Sequence, residues 1–257
     1  GPSSDGAVSL TGLDPLRLAG DKKSQFPRTS DLDLFGNIDA STTTIRLFGT
    51  SADVSDTFGN TGARKFLSIG KELVQYTGFT DEGSGVFLLS GVTRGSLDTI
   101  AEAHTDKDQV QRAGRYENLQ FWLVLDDLFK NHTPIPDGFI PLADWNAEGD
   151  EYLPTYRTTH TVVKPTPIND IAGQLSQQGL FYIWWEEYAQ KIKLLAIRAP
   201  DAAPVVLTDE LNLMRGTQLN RDPSIRLTQV SVYFNQIDVF GSETDPKNYA
   251  NRYTTID

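Results

Sequence analysis

The sequence predicts a β-rich α+β fold, in which a small all-β module, barrel or sandwich, accompanies an α+β domain with a mainly antiparallel sheet. Three observations lead there. Between Asp39 and Ala113, short β-like runs alternate with glycine-bearing turns, and no apolar period of helical length intervenes. Beyond Gly114, apolar residues recur at spacings of three and four, as on amphipathic helices. Paired alternating runs then follow around short polar turns. A chain of 257 residues is long enough for two such domains.

The opening Gly1-Pro2-Ser3-Ser4, without an initiator methionine, reads as the scar of a tag-cleaving protease. Residues 5–38 read as a leader lying on a neighbouring surface, because Gly12, Pro15 and Gly20 interrupt "SLTGLDPLRLAG" too often for a long element. The module, residues 39–113, carries strands at "TTTIRLFG", "ARKFLSIG", "KELVQYTGFT", "GVFLLSGV" and "DQVQRAG", with one or two helical turns at "SLDTIAEAH".

The α+β domain, residues 114–257, opens with a helix predicted over Arg115–His132. The next 22 residues hold four prolines and predict an irregular surface loop. "YRTTHTVVKP" predicts a strand, and Thr166 and Pro167 predict the cap and first position of a helix that stops at Gly179. "LFYIWWE" and "KIKLLAIRAP" predict a hairpin around "EYAQ", with further strands at "PVVLTDE" and "IRLTQVSVYF" and a polar, peripheral end.

Composition excludes several classes. Net charge of −11 and a pI near 4.7 oppose nucleic-acid binding, which needs clustered Lys and Arg. The absence of cysteine removes disulfides, thiolate catalysis and Cys-based zinc sites. No apolar run approaches the ~20 residues of a membrane-spanning helix.

The richest candidate for chemistry is "GVTRGSLDTIAEAH", residues 91–104. A catalytic reading makes His104 a general base, Arg94 an anion clamp and Asp98 an orienting carboxylate. No nucleophile elbow or phosphate-binding glycine loop accompanies them. The architectural reading has Gly91 and Gly95 forming corners while Arg94 and His104 satisfy loop carbonyls, and it is the one adopted.

Trp145, Trp184 and Trp185 are candidate stacking platforms, and Glu186 and Glu187 candidate acid and base for a glycosidase. Adjacent strand residues face opposite sides, which argues against that carboxylate pair. Asp31, Asp33 and Asp39 offer oxygens for calcium but lack the EF-hand order, and Asp126-Asp127 reads as a solvated helix face. The three histidines, His104, His132 and His160, show no metal-binding spacing. We therefore expect no catalytic residue, metal or cofactor.

The run "FLSIGKELVQYTGFT" followed by "FLLSGVTRGSLDTIAEAHTDKDQVQ" resembles a module recurrent in tail proteins of tailed phages and prophages. The matching positions are Ile69, Gly70, Glu72, Tyr76, Thr77, Gly78, Gly91, Val92, Arg94, Gly95, Thr99, Ala101, His104 and Val110. Departures fall at Lys71, at Asp98 where the pattern has a second glycine, and at Asp108 in the closing turn. The downstream order of helix, Pro-rich segment with Trp145, Pro-Ile-x-Asp-Ile helix, aromatic strand, "KIKLLAIRAP" and "RLTQVSVYF" is similar to the hub region of tail-tip proteins in long flexible-tailed phages. The resemblance spans roughly residues 27–240.

It implies that the β-module is inserted in a hub domain to which part of the leader belongs. It further implies a non-enzymatic virion component at the tail tip. Such a subunit would form a homo-oligomeric ring and contact the distal tail protein and fibre or receptor-binding parts. The alternatives are a carbohydrate-binding or host-receptor adhesin and, further off, a cell-wall hydrolase.

Overall fold

A computed structural model describes residues 14–55, 65–198 and 229–256. The fold is β-rich α+β, and every described strand pairing is antiparallel. The chain divides into two compact units at Ile197–Arg198. The predicted scar, the start of the leader, "PVVLTDE" and the first residues of "IRLTQVSVYF" lie outside the described residues.

The first unit contains two hydrophobic cores. One is built by a sheet curled into a half-barrel, from β2 (Leu32–Leu34), β3 (Arg46–Phe48), β4 (Lys65–Ile69), β5 (Glu72–Tyr76), β6 (Gly78–Gly83), β7 (Val86–Ser90) and β8 (Gln109–Gln120). Their order across the sheet is β5-β4-β8-β2-β3-β7-β6. Leu32, Leu34, Leu47, Leu67, Ile69, Val74, Tyr76, Phe87, Leu89 and Val110 meet inside it. β2 pairs with β3 and β8, so the module extends into residues 32–34 of the predicted leader. A short helix, α1 (Ser51–Ser55), follows β3.

The second core gathers the remaining elements up to Ala196. After β8 come α2 (Phe121–His132), α3 (Leu142–Tyr152), β9 (Arg157–Val162), β10 (Thr166–Pro167), α4 (Ile168–Gly179), β11 (Phe181–Glu186) and β12 (Lys191–Ala196). The leader contributes a 3-10 turn over Pro15–Gly20, whose Ala19 is buried, and β1 (Gln25–Phe26), which pairs with β10. Phe26 packs its ring against Tyr116 and His132, and a Cβ at Gly114 would overlap it. β8 runs through both cores and pairs with β9 beyond Gly114, across a register shift between Tyr116 and Leu119.

Four segments depart from the structure that their sequence predicts. The helix predicted from Arg115 begins only at Phe121, because residues 109–120 pair as a strand. The Pro-rich stretch is not all loop: α3 occupies Leu142–Tyr152, with Pro134, Pro136 and Pro141 before it and Pro154 after. Pro167 is the cap of α4, while Thr166 pairs with Phe26. No helix forms over "SLDTIAEAH", which is laced as turn and extended chain.

The second unit, as described, is a hairpin of β13 (Gln229–Gln236) and β14 (Tyr249–Ile256). The polar end of the chain forms β14. Its loop is tied by Asn248, whose amide donates to the Asp238 and Ser242 carbonyls and accepts from the Asp238 N–H.

Candidate functional site

The polar centre of the module is one carboxylate. Glu72 is the first residue of β5, directly after the β4–β5 turn at Gly70, where φ is +60°. Its side chain has no exposed surface, so its oxygens must find donors inside the protein. Five are in place. Arg94 Nε and Nη2 donate to Oε1 and Oε2 at 2.5 and 2.8 Å. The Gly95 and Glu102 N–H groups donate at 3.0 and 3.1 Å, and His104 Nε2 lies 2.9 Å from Oε2.

Burial alone pushes the Glu72 carboxyl up, but the Arg94 guanidinium, the Glu102 N–H, His104 and the Gly95 N–H outweigh it and hold it at about 2. As a carboxylate, Glu72 accepts only, so His104 Nε2 carries the hydrogen of that contact.

The other arms of Arg94 bind chain. Nη1 donates to the Asp39 and Thr42 carbonyls at 2.9 Å each, and Nη2 to the Glu102 carbonyl at 2.6 Å. The guanidinium therefore ties residues 39–42, 72 and 102 together. The Asp39 carboxylate accepts from the Ser41 and Thr42 hydroxyls and the Ser41 N–H, which hold it at about 2. Among the described residues no group of three or more His, Asp or Glu gathers to hold a metal ion.

The glycines make this lacing geometrically feasible. Gly95, at φ +58°, approaches Thr99 O and Ala101 N so closely that a Cβ would lie 2.9 and 3.0 Å from them. Gly91, at φ +61°, packs on the Thr77 hydroxyl. Asp98, standing where the phage module has its second glycine, sits at φ +63°, a conformation that Asp tolerates better than most residues. Thr99 Oγ1 donates to Ser96 O at 2.8 Å and accepts from Leu73 N at 3.0 Å. Tyr76 is buried in the module core, and Gly78 pairs with Ser90.

His104 and Arg94 are thus brought together, but by Glu72 rather than by Asp98. The second carboxylate near the imidazole is Asp108, 3.8 Å from Nδ1. Side-chain exposures of 5% for Arg94 and 8% for His104 leave little room for a substrate.

The tryptophans divide differently from expectation. Trp145 is 1% exposed, and its Nε1 donates to the Ile192 carbonyl at 2.9 Å, so it is core and not a stacking platform. Trp185 faces the same core, its ring 4.9 Å from that of Phe139. Only Trp184, 40% exposed, keeps an outward face. Glu186 closes the hairpin turn by accepting the Tyr188 and Ala189 N–H groups.

A second polar cluster lies in the other core. Tyr116 donates to Asp127 Oδ2 at 2.5 Å, Asn131 donates to Oδ1 at 2.8 Å, and His132 Nε2 lies 3.8 Å away. Burial, then the neighbouring Asp127 charge, pushes the Tyr116 hydroxyl well above its usual range. Asp127, on the helix face that the sequence predicts to be solvated, is instead a joint between β8 and α2.

No helix among the described residues is long and apolar enough to cross a membrane. No family model, curated protein or solved structure matches the chain.

Proposed function

We propose that this chain is a non-enzymatic structural part of a phage or prophage tail tip, within the central hub that joins the tail tube to fibre or receptor-binding parts. The observation that carries the reading is the occupancy of Glu72. Five of the fourteen residues on which the resemblance rests, Gly70, Glu72, Arg94, Gly95 and His104, meet in one buried knot whose polar atoms bind one another and the backbone. A motif used in this way is a folding signature, and its resemblance to tail-protein modules then concerns architecture rather than a shared active site. Against the hydrolase reading stands the position of Glu186, whose oxygens accept N–H groups of the hairpin turn.

In that role the partners are the distal tail protein, a fibre or receptor-binding protein and further copies of the chain in a ring. The test is immunogold electron microscopy with antibodies against the purified chain, applied to tailed particles induced from the source organism. Label at the distal tail end is expected. Label on the capsid or along the tail shaft, or particles that carry none, would overturn the proposal.

A further inference from the structure

The β11–β12 hairpin turns one face to the core and the other outward. Phe181, Ile183 and Trp185 join Ile192, Leu194 and Ala196 inside. The alternate residues face out in cross-strand pairs: Tyr182 opposite Leu195, Trp184 opposite Lys193 and Glu186 opposite Lys191. Leu180 and Ile197 add a fourth pair, joined by the Ile197 N–H donating to the Leu180 carbonyl at 2.7 Å. The five apolar members of these pairs are each between 38% and 62% exposed. Together they open roughly 500 Å² of surface, as much as the largest apolar patch on a typical monomer.

The charges along this strip balance: Lys191 stands opposite Glu186, and Lys193 lies 3.7 Å from Asp144. Two copies of a chain of net charge −11 repel each other, and a locally neutral face is where that repulsion is least. The pairs are also complementary member by member. Two join apolar side chains, one an indole and an ammonium, and one a carboxylate and an ammonium. A two-fold axis running along the hairpin between its strands sets each residue over the other copy's cross-strand neighbour. Tyr182 then meets Leu195, the Trp184 ring meets the Lys193 ammonium, and Glu186 meets Lys191, each contact occurring twice.

We infer that the outer face of β11–β12 is a two-fold interface between two copies of this chain, packed sheet to sheet. Its area fits that occupant. With the lysines, Glu186 and Asp144 at its rim, the face offers roughly 700 Å², close to the ~800 Å² per partner of a standard protein interface. Facing sheets lie ~10 Å apart with their strands about 30° from parallel, which keeps the pairs of so short a hairpin within reach of one another. A two-fold contact closes on two copies, so the inference does not rest on the ring of the tail-tip reading.

The test is sedimentation equilibrium of the full chain from about 1 to about 200 μM, the range in which an interface of this size and ordinary quality dissociates. The parent chain should pass from monomer to dimer. Trp184→Ala should weaken the dimer at least tenfold. Lys191→Glu should do the same by setting carboxylates face to face. Adding Glu186→Lys to it should restore association to within threefold of the parent, because the exchange keeps each facing pair opposite in charge and leaves the net charge unchanged. Circular dichroism reports folding. Should Trp184→Ala or the exchange variant fail to fold, Lys191→Glu, whose side chain projects outward, carries the test. A chain that stays monomeric at the highest concentration overturns the inference, whether the face is then open or covered by another part of the same chain. So does a trimer or larger species, a dimer that Trp184→Ala or Lys191→Glu leaves unchanged, or a folded exchange variant that stays weakened.

Discussion

Replacing Glu72 by Gln changes few atoms and removes the charge on which the module's loops converge. The variant keeps one acceptor oxygen and turns the other into a donor, aimed at groups that themselves donate: Arg94 Nη2, the Glu102 N–H and His104 Nε2. Arg94, still charged and buried, keeps its carbonyls but loses its counterion. Removing one partner of a buried ion pair costs about 3–5 kcal/mol. An independent route gives a similar figure. A carboxyl with an ordinary value of 4.5, held at about 2 in the folded chain, contributes about 3 kcal/mol of stability at neutral pH. The sign is that of a depressed group: the contribution is complete above pH 4.5 and is lost as pH falls toward 2. Urea unfolding at pH 7 should therefore show Glu72→Gln destabilised by about 3 kcal/mol, and the gap between parent and variant should close between about pH 4.5 and 2. A difference under about 0.5 kcal/mol at pH 7, or a gap that does not narrow on acidification, would refute the reasoning.

Three further perturbations test the packing. Gly114→Ala should destabilise the chain by about 1–3 kcal/mol in thermal unfolding, because the new methyl group displaces the Phe26 ring. Trp145→Phe should cost about 1–3 kcal/mol in thermal unfolding, by leaving the Ile192 carbonyl without its donor. Leu180→Gly should stabilise by up to about 1 kcal/mol: Leu180 closes α4 at φ +54°, the left-handed cap that glycine takes without strain, and its side chain is about half exposed, at 45%. Loss of stability on that change, read from the urea midpoint, would show that the side chain's packing outweighs the backbone strain.

What the sequence made legible follows from the range of the forces involved. The hairpin around residues 187–190 and the stripe of Ile168, Ile171, Ala172 and Leu175 on α4 are set by local alternation and period, and the fold keeps both. α3 was hidden because its prolines bracket it instead of interrupting it, and because Gly149, normally a breaker, leaves the space that the Trp122 ring fills. Residues 115–120 carry a helical apolar spacing, but pairing of β8 with β9 overrides it. Over "SLDTIAEAH", local helix propensity yields to the pull of Arg94 and Glu72 on residues 95 and 102.

The same distinction governs the knot. Reading residues 91–104 alone identified Arg94 and His104 as ties to loop carbonyls, and the three Arg94–carbonyl contacts have that form. It could not identify the acceptor on which both converge, because Glu72 lies on β5, 22 positions from Arg94 and 32 from His104. A polar cluster of Glu, Arg and His is read as chemistry when its members keep a lone pair or proton for a substrate. Here each carboxylate oxygen and each guanidinium nitrogen faces a protein partner, and little solvent reaches them. The sequence features that first suggest a catalytic loop, glycine corners around an arginine and a terminal histidine, are therefore also what a long irregular segment needs in order to be buried beside a sheet. Glycines let its backbone come close, and the charged side chains satisfy the amides and carbonyls that no neighbouring strand can reach.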